Sequence, residues 1–487
     1  MARTRNTLLS ALLTASLALA PLPSARALDT RLPDLGNSAG GLMTPKAEQE
    51  LGRAFMRSVR LNQAVLDDPL IGDYIQQLGE RLVEHSDAAG TPFHFFVIDN
   101  REINAFAGPG GYIGVYTGLI STTQTESELA AVLAHEIAHV TQQHLLRAWE
   151  TASNMTLPNA AVLLAAIAIG VAAGGDAGLA AATMGQAGLI QEQINFTRAN
   201  EQEADRIGID ILADTRFDPN AMPAFFSRMG RANRVYATKL PEFLMTHPVT
   251  TSRTADALGR AARYPARQVR DSLHFELTRA RIALRNIEHP LAHAARLARQ
   301  LEDGRYRNRL ATEYERALSL LQGGRIAEAD TLLARLLQAS PDTIEFIVAK
   351  AEVEQRQGKA EAALRRLRQA LLAHPTSRAL VLSHAELATA LGHYREAVDQ
   401  LRDHLGMATD EPRIHALLAR ASGEAGNAVA AHRHQAEYHY LNGKLEEAIL
   451  QLELALKTPG ISFYDSSRID ARLRELREEL AARKKRE

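Results

Sequence analysis

The spacing of apolar residues changes character several times along the chain, and each change outlines an element. Leu8 to Leu22 is an apolar run broken only by short polar residues, and Leu28 to Met43 is rich in Gly, Pro, Asp and Ser. From about Pro45 to Ser86 apolar positions recur at helical spacing, which predicts helix. Phe93 to Ile98, behind Pro92, reads as a strand. Ile103 to Ile120 holds two apolar runs around Gly108-Pro109-Gly110-Gly111, predicting a hairpin or a strand beside an open loop. Thr125 with Glu128 forms a capping box, and the helix it opens is expected to run to about Trp149. The apolar segment Ala160–Ala173 is too short for a typical membrane span and is expected to be a buried or lid-like helix, with a Gly/Ala-rich continuation to about Leu189. A further helix is predicted from Asn200 to about Leu212.

From about Arg307 the pattern becomes periodic. Gly324, Gly358, Gly392 and Gly426 are each 34 residues apart, and Ala329, Ala363, Ala397 and Ala431 keep the same spacing. Leu333, Leu367 and Leu401 follow it too, as do Leu337, Leu371 and Leu405. This is the tetratricopeptide period: Gly turns the chain between two helices, Ala lets them approach, and Leu lines the buried stripe. The fourth unit departs, with Gln435 and His439 where Leu is expected, and the pattern restarts at Gly443, 17 residues after Gly426. One helix, roughly Val429 to Leu441, is therefore expected to serve two successive units.

The composition is that of an ordered globular protein, 46% hydrophobic and 23% charged over 487 residues, long enough for two or three domains. The net charge of -1 points to neither nucleic acid nor an anionic membrane as partner. With no cysteine, a disulfide, a thiolate metal site, a cysteine nucleophile and a lipid-bearing cysteine are all excluded. Arg3 and Arg5 ahead of the first apolar run, and Ala25-Arg26-Ala27 behind it, read as a secretory signal peptide cut after Ala27. Cleavage would remove three arginines and no acidic residue, taking the charge from -1 to -4.

The chemistry concentrates at His135-Glu136-Ile137-Ala138-His139, an HExxH motif inside the capped helix. One helical turn apart, His135 and His139 face the same way and suit a tetrahedral zinc ion, while Glu136 can take a proton from water at that ion. His144, five residues past His139, is expected on a different face. No HxxGxxH continuation follows, which disfavours the metzincins. The third ligand must come from elsewhere. Glu201 and Asp205 share one helical face, so one carboxylate can bind the metal while the other orients a ligating histidine.

HExxH followed by Glu201-Gln202-Glu203-Ala204-Asp205 on a later helix, with Asn104-Ala105-Phe106-Ala107 upstream and Met245-Thr246-His247-Pro248 downstream, resembles the M48 family of peptidases. The resemblance implies His135, His139 and Glu201 as ligands of one Zn2+ per chain, Glu136 as catalytic base and Asp205 as orienting partner. It implies that His247 caps the zinc in a resting state. Asn104, Ala105 and Phe106 would present a strand edge to a peptide substrate. Arg253 could pair with an acidic or oxyanionic group and support that switch. The fold implied is an α+β zincin-like metallopeptidase domain, mostly helical with a small sheet, followed by an all-α tetratricopeptide-repeat solenoid. The expected boundaries are signal peptide 1–27, peptidase 28–265, helical linker 266–306 and repeats 307–480. The function implied is that of a periplasmic zinc metalloendopeptidase with chaperone activity. Its expected partners are unfolded or stalled outer-membrane β-barrel proteins and their insertion machinery, with no nucleic acid and no membrane anchor once the signal is cut. The competing reading is a non-catalytic repeat scaffold with a vestigial protease domain, which the intact base and ligand set oppose.

Overall fold

The computed structural model describes residues 44–88, 91–145, 198–235, 242–406 and 410–484. The signal peptide, the leader to Met43 and the 160–189 segment lie outside the described residues. Among those described, no helix is long and apolar enough to cross a membrane.

The helical pattern after Pro45 resolves into α1 (Pro45–Asn62) and α2 (Pro69–Val83). Each starts with proline just behind a capping side chain, Thr44 and Asp68, because proline has no N–H to leave unpaired there. Next come β1 (His94–Ile98), β2 (Ala105–Ala107), β3 (Tyr112–Tyr116) and a short α3 (Thr117–Thr122). The sheet order is β1-β3-β2, with β1 parallel and β2 antiparallel to β3. The predicted hairpin is thus present as β2–β3. Its turn, Pro109–Gly111, uses positive φ at Gly110 and Gly111. The α3 turn was not predicted. A Cβ on its Gly118 would meet the Arg101 and Glu102 carbonyls at 2.1 and 2.2 Å, so only glycine lets the β1–β2 loop lie this close.

The paired-histidine helix is α4 (Glu126–Thr141), followed by α5 (Arg198–Asp214), α6 (Ala221–Val235), α7 (Glu242–Thr246) and α8 (Thr251–Ala261). The sheet, α2, α4 and α5 close one core around residues such as Ile75, Val97, Ile113, Leu133 and Ile209. Helix α4 was expected to reach Trp149. It ends at Thr141, and Gln143 takes φ 53. Such a left-handed turn at a residue other than glycine breaks the helix without any sequence signal.

The repeat glycines 324, 358, 392, 426 and 443 all have positive φ and each separates two helices, as the period requires. Helices α9 (Leu273–Leu284) and α10 (Pro290–Glu302) precede α11 (Arg309–Gln322) and α12 (Ile326–Ala339). Four more follow: α13 (Ile344–Arg356), α14 (Ala360–Ala373), α15 (Arg378–Ala390) and α16 (Tyr394–Leu405). The array ends with α17 (Pro412–Glu424), α18 (Ala428–Leu441), α19 (Leu445–Leu456) and α20 (Phe463–Lys484). Helix α18 packs on both α17 and α19, so it does serve two units.

The stretch expected as a linker is packed on both sides. Phe275 and Ile282 of α9 enter the core built on the sheet, α2, α4 and α5, while Leu277, Ala280 and Leu284 enter the core of the first repeats. Arg281 ties the two: it pairs with Asp68 at 2.6 Å and donates to the Tyr314 hydroxyl at 2.9 Å. Phe275→Ala should therefore destabilise the protein by about 3–5 kcal/mol in denaturant unfolding. Phe463→Ala, at a side chain 88% exposed, should stay within about 0.5 kcal/mol of the parent.

Candidate metal centre

Helix α4 is fixed at its start. Thr125 Oγ1 accepts from Glu128 N at 3.2 Å, the first half of the capping box. The Glu128 carboxylate returns to Gln124 N at 2.5 Å and pairs with both outer nitrogens of Arg228 on α6 at 2.6 Å. The Glu126 carboxylate accepts from Tyr74 on α2 and from Ser272 at the head of α9. With the helix so held and packed on α5, His135, Glu136 and His139 occupy buried positions.

Four side chains converge there: His135, His139, Glu201 and His247, all buried, with one ligand atom from each within 4.8 Å of the others. His135 Nε2 lies 2.9 Å from His139 Nε2 and 3.3 Å from His247 Nδ1. The Glu201 carboxylate lies 3.4 Å from His139 Nε2, 3.6 Å from His135 Nε2 and 3.1 Å from His247 Nδ1. A tetrahedral ion with ligands at about 2.0–2.1 Å spaces them about 3.4 Å apart. The separations and the nitrogen-and-carboxylate chemistry therefore both fit zinc. Glu136 stands beside this group, with Oε1 3.5 Å from His247 Nε2. His247 thus turns one ring nitrogen to the cluster and the other to Glu136.

Asp205 and Arg253 form the layer behind. Asp205 Oδ1 is 3.0 Å from His135 Nδ1, the nitrogen facing away from the cluster. Arg253 grips Asp205 through two bonds of 2.7 Å, reaches Glu201 at 2.7 Å and donates to the Pro248 carbonyl at 2.9 Å. Its guanidinium, 3% exposed, also lies over the Phe226 ring. Arg253 is thereby engaged on α5 and on the loop that carries His247. Helix α7, which leads into that loop, meets the sheet side where Phe243 N donates to the Ile103 carbonyl, just before β2. Asn104, just ahead of β2, and Ala105 within it are fully buried and Phe106 nearly so; β2 is an edge of the described sheet and packs on α4.

Charge explains the titration of the site. Three buried carboxylates, Glu136, Glu201 and Asp205, share the site with one buried guanidinium, Arg253. Burial works against a charge on His135, but contacts with Asp205 and Glu201 overcome it and lift the imidazole to about 10. Burial, partly offset by His247 and His135, raises Glu136 above the usual carboxylate range. Burial and then His135 hold His139 well below its ordinary value, so it offers a lone pair. Burial would raise Glu201, yet His247 and His135 hold it well below the ordinary value. Asp205 is likewise held down against burial by Arg253 and His135.

One neighbour contradicts the sequence reading. His144 was expected on another face, but the turn at Gln142–Gln143 brings it back to His139, with Nδ1 of each ring 2.9 Å apart. Continuing the helical period past Thr141 misplaces it, and no Gly or Pro marks the break.

A paired-histidine helix, an acid beside it and a carboxylate from a second helix, packed on a small sheet, make a metallopeptidase centre. The profile described as Peptidase family M48 matches residues 69–261, and one described as Tetratricopeptide repeat matches residues 355–421. The chain is 36% identical over 449 residues to the beta-barrel assembly-enhancing protease of Escherichia coli (strain K12), covering 92% of this chain and 91% of that protein. It therefore belongs to peptidase family M48. A putative beta-barrel assembly-enhancing protease of Vibrio cholerae is 42% identical over 315 residues, 64% of each chain. The mitochondrial metalloendopeptidase OMA1 of Bos taurus is 34% identical over 160 residues, 31% of this chain and 29% of that protein.

Arg253→Met would leave Asp205 and Glu201 without their buried cation. It should cost about 3–5 kcal/mol in unfolding measured with a chelator present. A cost below about 1 kcal/mol would mean that the pair is not buried in solution.

Proposed function

We propose that this metallopeptidase is a zinc endopeptidase of the periplasm that acts on outer-membrane β-barrel proteins and assists their assembly. The observation that carries the reading is the convergence of His135, His139, Glu201 and His247 beside Glu136. His135, His139 and Glu201 would hold the zinc, with Asp205 orienting His135. Bound there, zinc would supply Lewis acidity to a peptide carbonyl and to water. Glu136, beside the cluster, takes the proton from the attacking water and passes it to the leaving amine. The β2 edge, Asn104 to Phe106, aligns the peptide by main-chain hydrogen bonds.

His247 is the resting cap. Its Nδ1 occupies the fourth corner of the cluster and its Nε2 faces the base. In this arrangement neither water nor Glu136 is free to react, so a substrate must first displace the α7–α8 loop. Arg253, through the Pro248 carbonyl, holds that loop in place. We assign residues 28–265 to the peptidase and 307–480 to the repeats, whose stacked helices offer a surface for the client and its insertion machinery. The signal-like pattern of residues 1–27 and the relatives named for β-barrel assembly support this location and these partners.

With an unfolded outer-membrane β-barrel protein as substrate, Glu136→Gln should reduce cleavage by at least about 100-fold while zinc stays stoichiometric. His247→Ala should cleave faster than the parent, and chelation should stop both. Undiminished cleavage by Glu136→Gln would exclude the proposed base. A slower His247→Ala that still holds zinc would exclude the cap.

A further inference from the structure

The two histidines of α4 are supported differently. His135 Nδ1 faces Asp205, a carboxylate fixed by Arg253. The same nitrogen of His139 meets a second imidazole, His144 Nδ1, at 2.9 Å. His144 Nε2 lies 3.2 Å from a Glu203 carboxylate oxygen on α5. His144 is completely buried, while the Glu203 side chain is 44% exposed.

Two ring nitrogens this close need one hydrogen between them, so one donates and the other accepts. His139 Nε2 points into the four-residue cluster, where a ligand must present a lone pair. Its proton is then on Nδ1 and is donated to His144 Nδ1. That leaves the His144 proton on Nε2, where it is donated to Glu203. Each link has one consistent assignment, and the chain ends on an acceptor in contact with solvent.

We propose that His144 is a positioning residue of the metal centre: it holds His139 in the Nδ1–H tautomer and ring orientation that present Nε2 to zinc, and Glu203 secures His144 from behind. The proposal rests on the reading of His139 as a zinc ligand. A second observation supports it. Gln143 adopts φ 53, a strained conformation for a residue other than glycine. The outcome of that strained turn is the return of His144 to the back of His139. Helix α5 would then supply a ligand, Glu201, and the terminal support of both histidines, Asp205 directly and Glu203 through His144.

The test compares zinc affinity, by competition with a chelating dye, and the visible spectrum of the cobalt-loaded full chain. His144→Phe fills the space of the ring but cannot accept a hydrogen bond. His144→Asn keeps an acceptor near the position of Nδ1, which faces His139. His144→Phe should weaken zinc binding about 10- to 100-fold and alter the cobalt spectrum, and His144→Asn should recover most of both. The metal-free melting temperatures of the two variants should agree, since a purely structural role would not separate them. Native affinity and spectrum in His144→Phe would overturn the proposal, as would His144→Asn falling as far as His144→Phe. Should His144→Phe fail to fold, Glu203→Ala decides: it changes a half-exposed side chain and should weaken zinc several-fold, and native affinity there overturns the proposal. Failure of the underlying reading looks different, because either the native chain would not take up zinc or His139→Ala would bind it as tightly as the parent.

Discussion

The buried pairing of Arg253 with Asp205 is the constraint on which the site is built. A carboxylate and a guanidinium, each almost without solvent, are tolerable only in contact. Their two bonds fix α5 against the start of α8. The same guanidinium reaches Glu201 and the Pro248 carbonyl, so one cation sets a candidate ligand, the partner of His135 and the loop bearing His247. Such a pair contributes little net stability compared with an apolar replacement. What it supplies is position, which a metal centre requires to within a fraction of an ångström.

The repeat array is attached to elements that also support the site. Arg57 of α1 pairs with Glu479 of α20 and lies over the Tyr440 ring, which Arg472 covers as well. Arg60 reaches the Leu441 and Asp410 carbonyls. Helix α1 in turn packs on the turn between β2 and β3, where a Cβ on Gly52 would meet the Pro109 carbonyl at 2.7 Å. Helix α9 adds a second attachment by placing residues in both cores. The array and the edge strand beside Glu136 thus share α1 as a common support.

Much of this was legible in residue spacing because the relevant elements are regular. Helix α4 announces itself through Thr125 and Glu128, and the i, i+4 rule places His135 and His139 together. The 34-residue columns fix the repeats, since each glycine must adopt positive φ. Spacing also put Glu201 and Asp205 on one face but could not say which would enter the cluster and which would lie behind His135. That depends on Arg253, 48 residues after Asp205, a contact set by tertiary packing. His144 was misread for a local reason: a left-handed Gln143 has no signature in sequence. Helix α9, within the stretch 266–306 expected as a helical linker, divides its buried residues between two cores, which leaves no single apolar stripe to read.

The most direct test of the account is anomalous diffraction at the zinc edge from crystals of the native chain. The account predicts one peak enclosed by His135, His139, Glu201 and the Nδ1 of His247, with Glu136 beside it and not bound. A peak elsewhere, or one at the α4 histidines with Glu201 turned away, would contradict it.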